Sequence, residues 1–95
     1  MSNYTLIDYT TAPAPTFELP SDRARKSLKA GQSAKLVFSG ARPIQGVSSE
    51  RMWVKVTKVL AKGSYEGILD NDPVVVDAKW KDKVKFEWNN VININ

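Results

Sequence analysis

Six acids fall between Glu66 and Glu87, and their densest grouping of possible ligands is Asp70-Asn71-Asp72. A calcium loop needs ligands at alternate positions, a glycine for the bend and a bidentate Glu further on. Here Pro73 follows directly and no Glu stands at that spacing. Asn71 and Asp72 therefore read first as turn formers whose side chains bond nearby backbone, with Pro73 fixing the exit. If a ligand does bind there, the Asp72 carboxylate would meet a cationic group. Serine hydroxyls at Ser27 and in Ser48-Ser49-Glu50 have no imidazole beside them, because the chain contains no His and no Cys. No Lys stands three residues after a Ser, and the five glycines are too scattered to cradle a phosphate. Paired carboxylates would need a cleft that a small sheet lacks. These residues predict no enzyme, no metal and no cofactor.

Basic and aromatic residues interleave more suggestively. Arg51, Trp53 and Lys55 alternate along one segment, and Lys79 and Lys81 flank Trp80. A protein that binds single-stranded nucleic acid sets stacking rings among phosphate contacts in this way. The same pattern arises if Trp53 is buried under a helix or an arm and its neighbours are merely solvated, since large rings in a small domain are needed for burial. The candidate binding residues are Arg51, Trp53, Lys55, Asn71, Asp72 and Trp80. Of the three tryptophans, Trp80 is expected to be exposed and Trp88 to lie in the core.

Charge is unevenly spread. Residues 1–19 carry −2; residues 20–62 hold ten bases against Asp22 and Glu50, giving +8; residues 63–95 return to −2. A basic middle block attracts a polyanion or an acidic protein surface, unless the acidic carboxyl half folds beside it and neutralises it. The net charge is +4.

These residues must be positioned by a single small domain, because 95 residues bury too little surface for two cores. Pro13, Pro15 and Pro20 oppose both helix and central strand, so residues 1–20 read as an extended arm and 21–95 as the domain. Tyr4 to Tyr9 alternates weakly and suits an edge strand, on this domain or on a partner. Ser21 caps a predicted basic helix from Ser21 to Ala30 that Gly31 ends. Period-two alternation then predicts a strand at Ser33–Ser39, with Ala34, Leu36 and Phe38 inward. Gly40–Ser49 reads as an exposed loop.

A longer strand follows at Glu50–Leu60, with Met52, Val54, Val56 and Leu60 on one face and Lys58 as the exception. A two-residue Lys62-Gly63 hairpin pairs Leu60 with Tyr65 and Val56 with Leu69, and is preferred to a three-residue loop placing Lys58 opposite Glu66. Further strands are predicted at Val74–Ala78, around Val84 and Phe86, and at Val91–Ile94. The fold class is mainly β with one short helix (α+β): a small, strongly bent antiparallel sheet or partly open SH3-like barrel, with an oligonucleotide-binding-type barrel as the alternative.

Glu50, Met52-Trp53-Val54, Gly67, Leu69, Asn71-Asp72-Pro73, Asp82 and Val84 together resemble a bacterial domain-of-unknown-function family, numbered 2314. That family has a Glu-His-Met-Trp-Val, Gly-x-Leu-x-Asn-x-Pro and Gly-Asp-x-Val pattern behind a helix containing Ala-Arg-Lys, here Ala24-Arg25-Lys26. The likeness covers roughly residues 21–88. Arg51 stands where the family has His, Lys81 where it has Gly, and residues 90–95 lack its acidic-tryptophan ending. The resemblance implies a compact β-rich module and no particular reaction, substrate or cofactor.

Two functional expectations follow. The first is a small non-enzymatic binding module that recognises another protein, as inhibitor or adaptor, through its arm and the face around Trp53. The second is nucleic-acid or nucleotide binding through the basic block. No run of eighteen apolar residues and no basic, apolar leader is present, so a cytoplasmic protein without membrane association is expected.

Overall fold

The computed structural model describes residues 4–10, 18–44, 47–73, 76 and 78–95, with the side chains of residues 41–44 and 47–48 left aside. Six strands form one antiparallel sheet: β1 (Tyr4–Leu6), β2 (Ser33–Ile44), β3 (Val47–Ala61), β4 (Ser64–Leu69), β5 (Lys83–Glu87) and β6 (Val91–Ile94). A single helical turn, α1 (Asp22–Arg25), precedes β2, and a 3-10 turn (Trp88–Asn90) joins β5 to β6. The order is β1-β2-β3-β4-β5, with β6 returning to β2. A four-strand meander, a 3-10 turn and a last strand that pairs back onto the first curl the sheet into a partly open SH3-like barrel. This is a meander and not the Greek key of the oligonucleotide-binding alternative.

The barrel interior is what period-two alternation requires. Ala34, Leu36 and Phe38 of β2, Met52, Val54 and Val56 of β3, Tyr65 and Leu69 of β4, and Val84 and Phe86 of β5 are buried together with Val91, Leu28 and Val76. Their opposite neighbours on the same strands point to the other face, where Val37 of β2 is nonetheless buried.

Bulges bend β3. Ala61 pairs with Ser64 across the predicted Lys62-Gly63 turn, where Gly63 adopts φ +79°. Beyond this first pair the predicted register fails: Val59 pairs with Tyr65, Lys58 with Glu66, and Val56 with Gly67. One extra residue at Leu60 and another at Thr57 account for the two shifts. The Thr57 hydroxyl donates to the Glu66 carbonyl at 3.2 Å. Crossing Thr57 reverses the alternation, so Lys58 faces outward, and Leu60, expected inside, is 44% exposed. Gly67 accepts the bend, because a Cβ there would strike the Lys55 carbonyl oxygen and lie 2.7 Å from Val54 Cγ1.

Three other expectations are corrected. The helix is one turn, not Ser21–Ala30. Ser21 Oγ caps it as expected, accepting from Ala24 N at 3.1 Å, and Arg25, Lys26 and Ser27 N donate within the turn, but from Leu28 onward the donors find other partners. Leu28 N donates to the Tyr65 hydroxyl, Lys29 N to Gln32 Oε1 and Gly31 N to the Val56 carbonyl, so the chain leaves the helical path. Gly40–Ser49 is not a loop throughout: the β2–β3 ladder continues past a register shift to Ile44 opposite Val47. Of the predicted strand Val74–Ala78, residues 74, 75 and 77 lie outside the described residues. Val76 and Ala78 are not in a strand, and Ala78 N donates to the Val76 carbonyl.

The amino-terminal segment is stitched in place. β1 pairs with β2, Tyr4 opposite Gly40 and Leu6 opposite Phe38. Ile7 N donates to the Val37 carbonyl and Tyr9 N to the Asn89 carbonyl. Asn89 Nδ2 donates to Asp8 Oδ1, and Asn90 Nδ2 to the Ile7 carbonyl. β1 and β6 thus share one edge of β2, end to end.

Candidate nucleic-acid interface

Trp53 lies on the outer face of β3 and is half-buried there. Its backbone is clamped from the β4 side: Asn71 Oδ1 accepts from Trp53 N, and Asp70 N donates to the Trp53 carbonyl at 2.9 Å. With both backbone groups turned toward β4, the Trp53–Lys35 pair across β2 is a non-hydrogen-bonded one, in which side chains approach most closely. Lys35 Nζ accordingly sits 5.5 Å from the Trp53 ring centroid. Arg51 and Lys55 stand two residues to either side on the same face, about 7 Å away along the strand.

The positive face extends across the sheet. Lys55 pairs with Ile68, and Ile68 with Lys83. Glu66 lies one step further along β4 between Lys58 and Lys85. The acidic half therefore does return to the basic block: Glu66 faces two lysines, and Lys35, Lys55 and Lys83 gather with Arg51 around Trp53 and Ile68.

The other candidate residues divide. Asn71 supports Trp53 by its side-chain bond and is a structural neighbour of the site. Asp72 is exposed and lies beyond that bond. Trp80 is 54% exposed, with Lys81 Nζ 4.5 Å from its centroid. Lys81 N donates to the Leu69 carbonyl, so Trp80 is attached to the same end of β4 that clamps Trp53. Lys81 adopts φ +73°, a left-handed conformation. Among the described residues no group of three or more acids could hold a metal ion.

Trp88 is not a site residue. It is half-buried at the 3-10 turn and packs against the core, with Arg25 Cζ 5.0 Å and Lys26 Nζ 4.4 Å from its ring centroid. Buried Arg25 also pairs with Asp22 at 2.7 Å, so this cation–ring contact docks α1 on the barrel.

Sequence reading missed Lys35, Lys83 and a groove of about 500 Å³ beside the basic face. Glu18, Leu19, Pro20, Ser21, Lys35, Arg51, Ile92 and Asn93 line it. Lys35 carried a signal, since it alternates outward in a confident strand, but its place beside Trp53 depends on the β2–β3 register. Comparison with protein-family models, curated proteins and solved structures gives no match to this chain. Among the described residues no helix is long and apolar enough to cross a membrane.

Proposed function

We propose that this chain is a non-enzymatic binding module whose outer sheet face takes single-stranded nucleic acid. The observation that carries this reading is the Trp53 ring, backbone-clamped and partly exposed, with Lys35 across the ladder and Arg51 and Lys55 on either side. A base stacks on the indole while the flanking cations contact successive phosphates. A single strand suits the face better than a duplex, because a paired base has no free face to offer the ring. Recognition of another protein through the arm has less support, since the strand-forming part of the arm is already paired with β2.

Fluorescence anisotropy with labelled single-stranded and double-stranded oligonucleotides at two salt concentrations tests the proposal. Single strands should bind more tightly, with affinity falling as salt rises. Trp53→Ala should weaken binding by about 5- to 150-fold, the range expected for one stacked base. Absence of single-strand binding at low salt, or full binding by a Lys35→Glu/Lys55→Glu variant, would refute it.

A further inference from the structure

The groove beside the basic face joins residues far apart in sequence. Glu18 to Ser21 lead into α1, Lys35 and Arg51 come from the outer faces of β2 and β3, and Ile92 and Asn93 come from β6. Register explains the convergence: Asn93 pairs with Lys35, Val37 with Arg51, and the β2–β6 ladder shifts between Lys35 and Leu36. Ile92 falls in that shift and is 6% exposed. The groove thus combines an apolar part, Ile92 with half-buried Leu19 and Pro20, and a cationic part, Lys35 and Arg51. Ser21 Oγ accepts from Ala24 N and Asn93 Oδ1 from Ile94 N, which leaves the Ser21 O–H and the Asn93 amide N–H groups as further donors, with the Glu18 carboxylate beside them. At about 500 Å³ the space matches sites that hold one small organic molecule.

We infer that this groove is a binding pocket for a small organic anion: a molecule with one oxyanion group and a flat apolar body. The oxyanion meets Lys35 and Arg51, and the body lies on Ile92, Leu19 and Pro20. Charge-assisted bonds supply orientation and apolar contact supplies affinity. Lys35 and Arg51 belong to both this pocket and the surface around Trp53, so an occupant of the pocket competes with a polyanion for the same cations. The pocket does not depend on the nucleic-acid reading and can stand if that reading fails.

The test is a titration of the full chain followed by amide chemical shifts, with three probes. Adenosine 5′-monophosphate offers a phosphate on a flat body, indole-3-acetate a carboxylate on one, and adenosine the body alone. The expected result is saturable shifts at Leu19, Ser21, Ile92 and Asn93 with at least one of the anions, and adenosine weaker by about 10-fold or more. The preferred anion identifies the oxyanion as phosphate or carboxylate. Lys35→Gln/Arg51→Gln should remove that preference over adenosine, and Glu18→Gln should tighten anion binding by relieving repulsion. Unperturbed shift dispersion elsewhere will show that each variant is folded. Equal binding of adenosine and both anions, shifts confined to other regions, or no saturable shift would overturn the inference. Displacement of a bound oligonucleotide by the preferred anion tests the competition separately from either binding event.

Discussion

Tyr65→Phe isolates the bond that holds the segment after α1 against the barrel. The Tyr65 hydroxyl, buried with its ring, donates to the Arg25 carbonyl at 2.8 Å and accepts from Leu28 N at 3.1 Å. Phenylalanine keeps the ring and its tilted contact with Phe86 at 5.3 Å, so core volume is almost unchanged. What is lost is the pairing of one buried N–H and one carbonyl. An unsatisfied buried group costs about 1–3 kcal/mol, and the carbonyl regains part of its loss if water reaches it, which gives about 2–4 kcal/mol in all. For a domain of this size each kcal/mol lowers Tm by roughly 4–8 °C. Urea unfolding followed by tryptophan fluorescence should show a lower midpoint with an unchanged slope. The Leu28 amide should exchange faster than amides in β2 and β3, which reports the local release directly. A loss below about 0.5 kcal/mol, with Leu28 exchange unaltered, would refute the assignment of Tyr65 as the anchor, because a bond of that worth cannot be the one holding the segment.

Gly67→Ala should destabilise the fold by at least about 2 kcal/mol in the same assay, because the new methyl meets β3 backbone that cannot withdraw. Lys81→Gly should stabilise by about 0.5–1 kcal/mol, since glycine adopts the left-handed φ without strain; an unchanged or lower midpoint would contradict the conformation. Val56→Asp should abolish cooperative unfolding, because an unpaired carboxylate in the barrel costs several kcal/mol, whereas Lys85→Asp, exposed opposite Glu66, should cost less than about 1 kcal/mol. Burial raises the pKa of Tyr4, Tyr9 and Tyr65 above 10.0, with Asp82 adding to the shift at Tyr4, Arg51 opposing it at Tyr9, and the bond from Leu28 opposing that at Tyr65. The folded state therefore holds these protons more tightly than the unfolded state. Their stabilising contribution is complete below pH 10 and disappears as the pH rises through the folded-state values. Phenolate absorbance should appear above pH 10 together with loss of structure, and ionisation of all three tyrosines at or below pH 10 in the folded protein would contradict it.

Alternation was enough to place the barrel interior, because each buried strand shows its period in neighbouring residues. The inward positions Ala34, Leu36 and Phe38 of β2, Met52, Val54 and Val56 of β3, and Val84 and Phe86 of β5 were legible for that reason. Lys58 was the visible defect in the β3 pattern. A constant hairpin register could not explain it, and a bulge at Thr57 does. The length of α1 was illegible for a different reason. Ser21 and Gly31 mark the ends of a ten-residue helix locally, but the Leu28 amide is captured by a hydroxyl 37 residues away. No local signal announces such a partner. The candidate face was half legible: Arg51, Trp53 and Lys55 are a strand pattern, whereas Lys35, Lys83 and the groove exist only once cross-strand pairing and the β6 return are known.

Trp88 and Trp53 show how the fold separates structural from available aromatic surface. Trp88 is enclosed by α1 and by Gly63, where an added Cβ would come 2.9 Å from the indole, so its ring is committed to docking the helix. Trp53 is the converse. The core is filled without it, yet its N–H and carbonyl are both fixed by residues 70 and 71, which extend the ladder beyond the end of β4. The consequence is a ring on a rigid backbone with part of its surface left to solvent and a lysine held over it. Fixing the platform before a ligand arrives lowers the ordering cost of binding, which a ring on a mobile loop would bear in full. Under the proposed reading Asn71 contributes through geometry: its side chain touches no ligand, but its bond to Trp53 N fixes where the ring stands for a base to meet it.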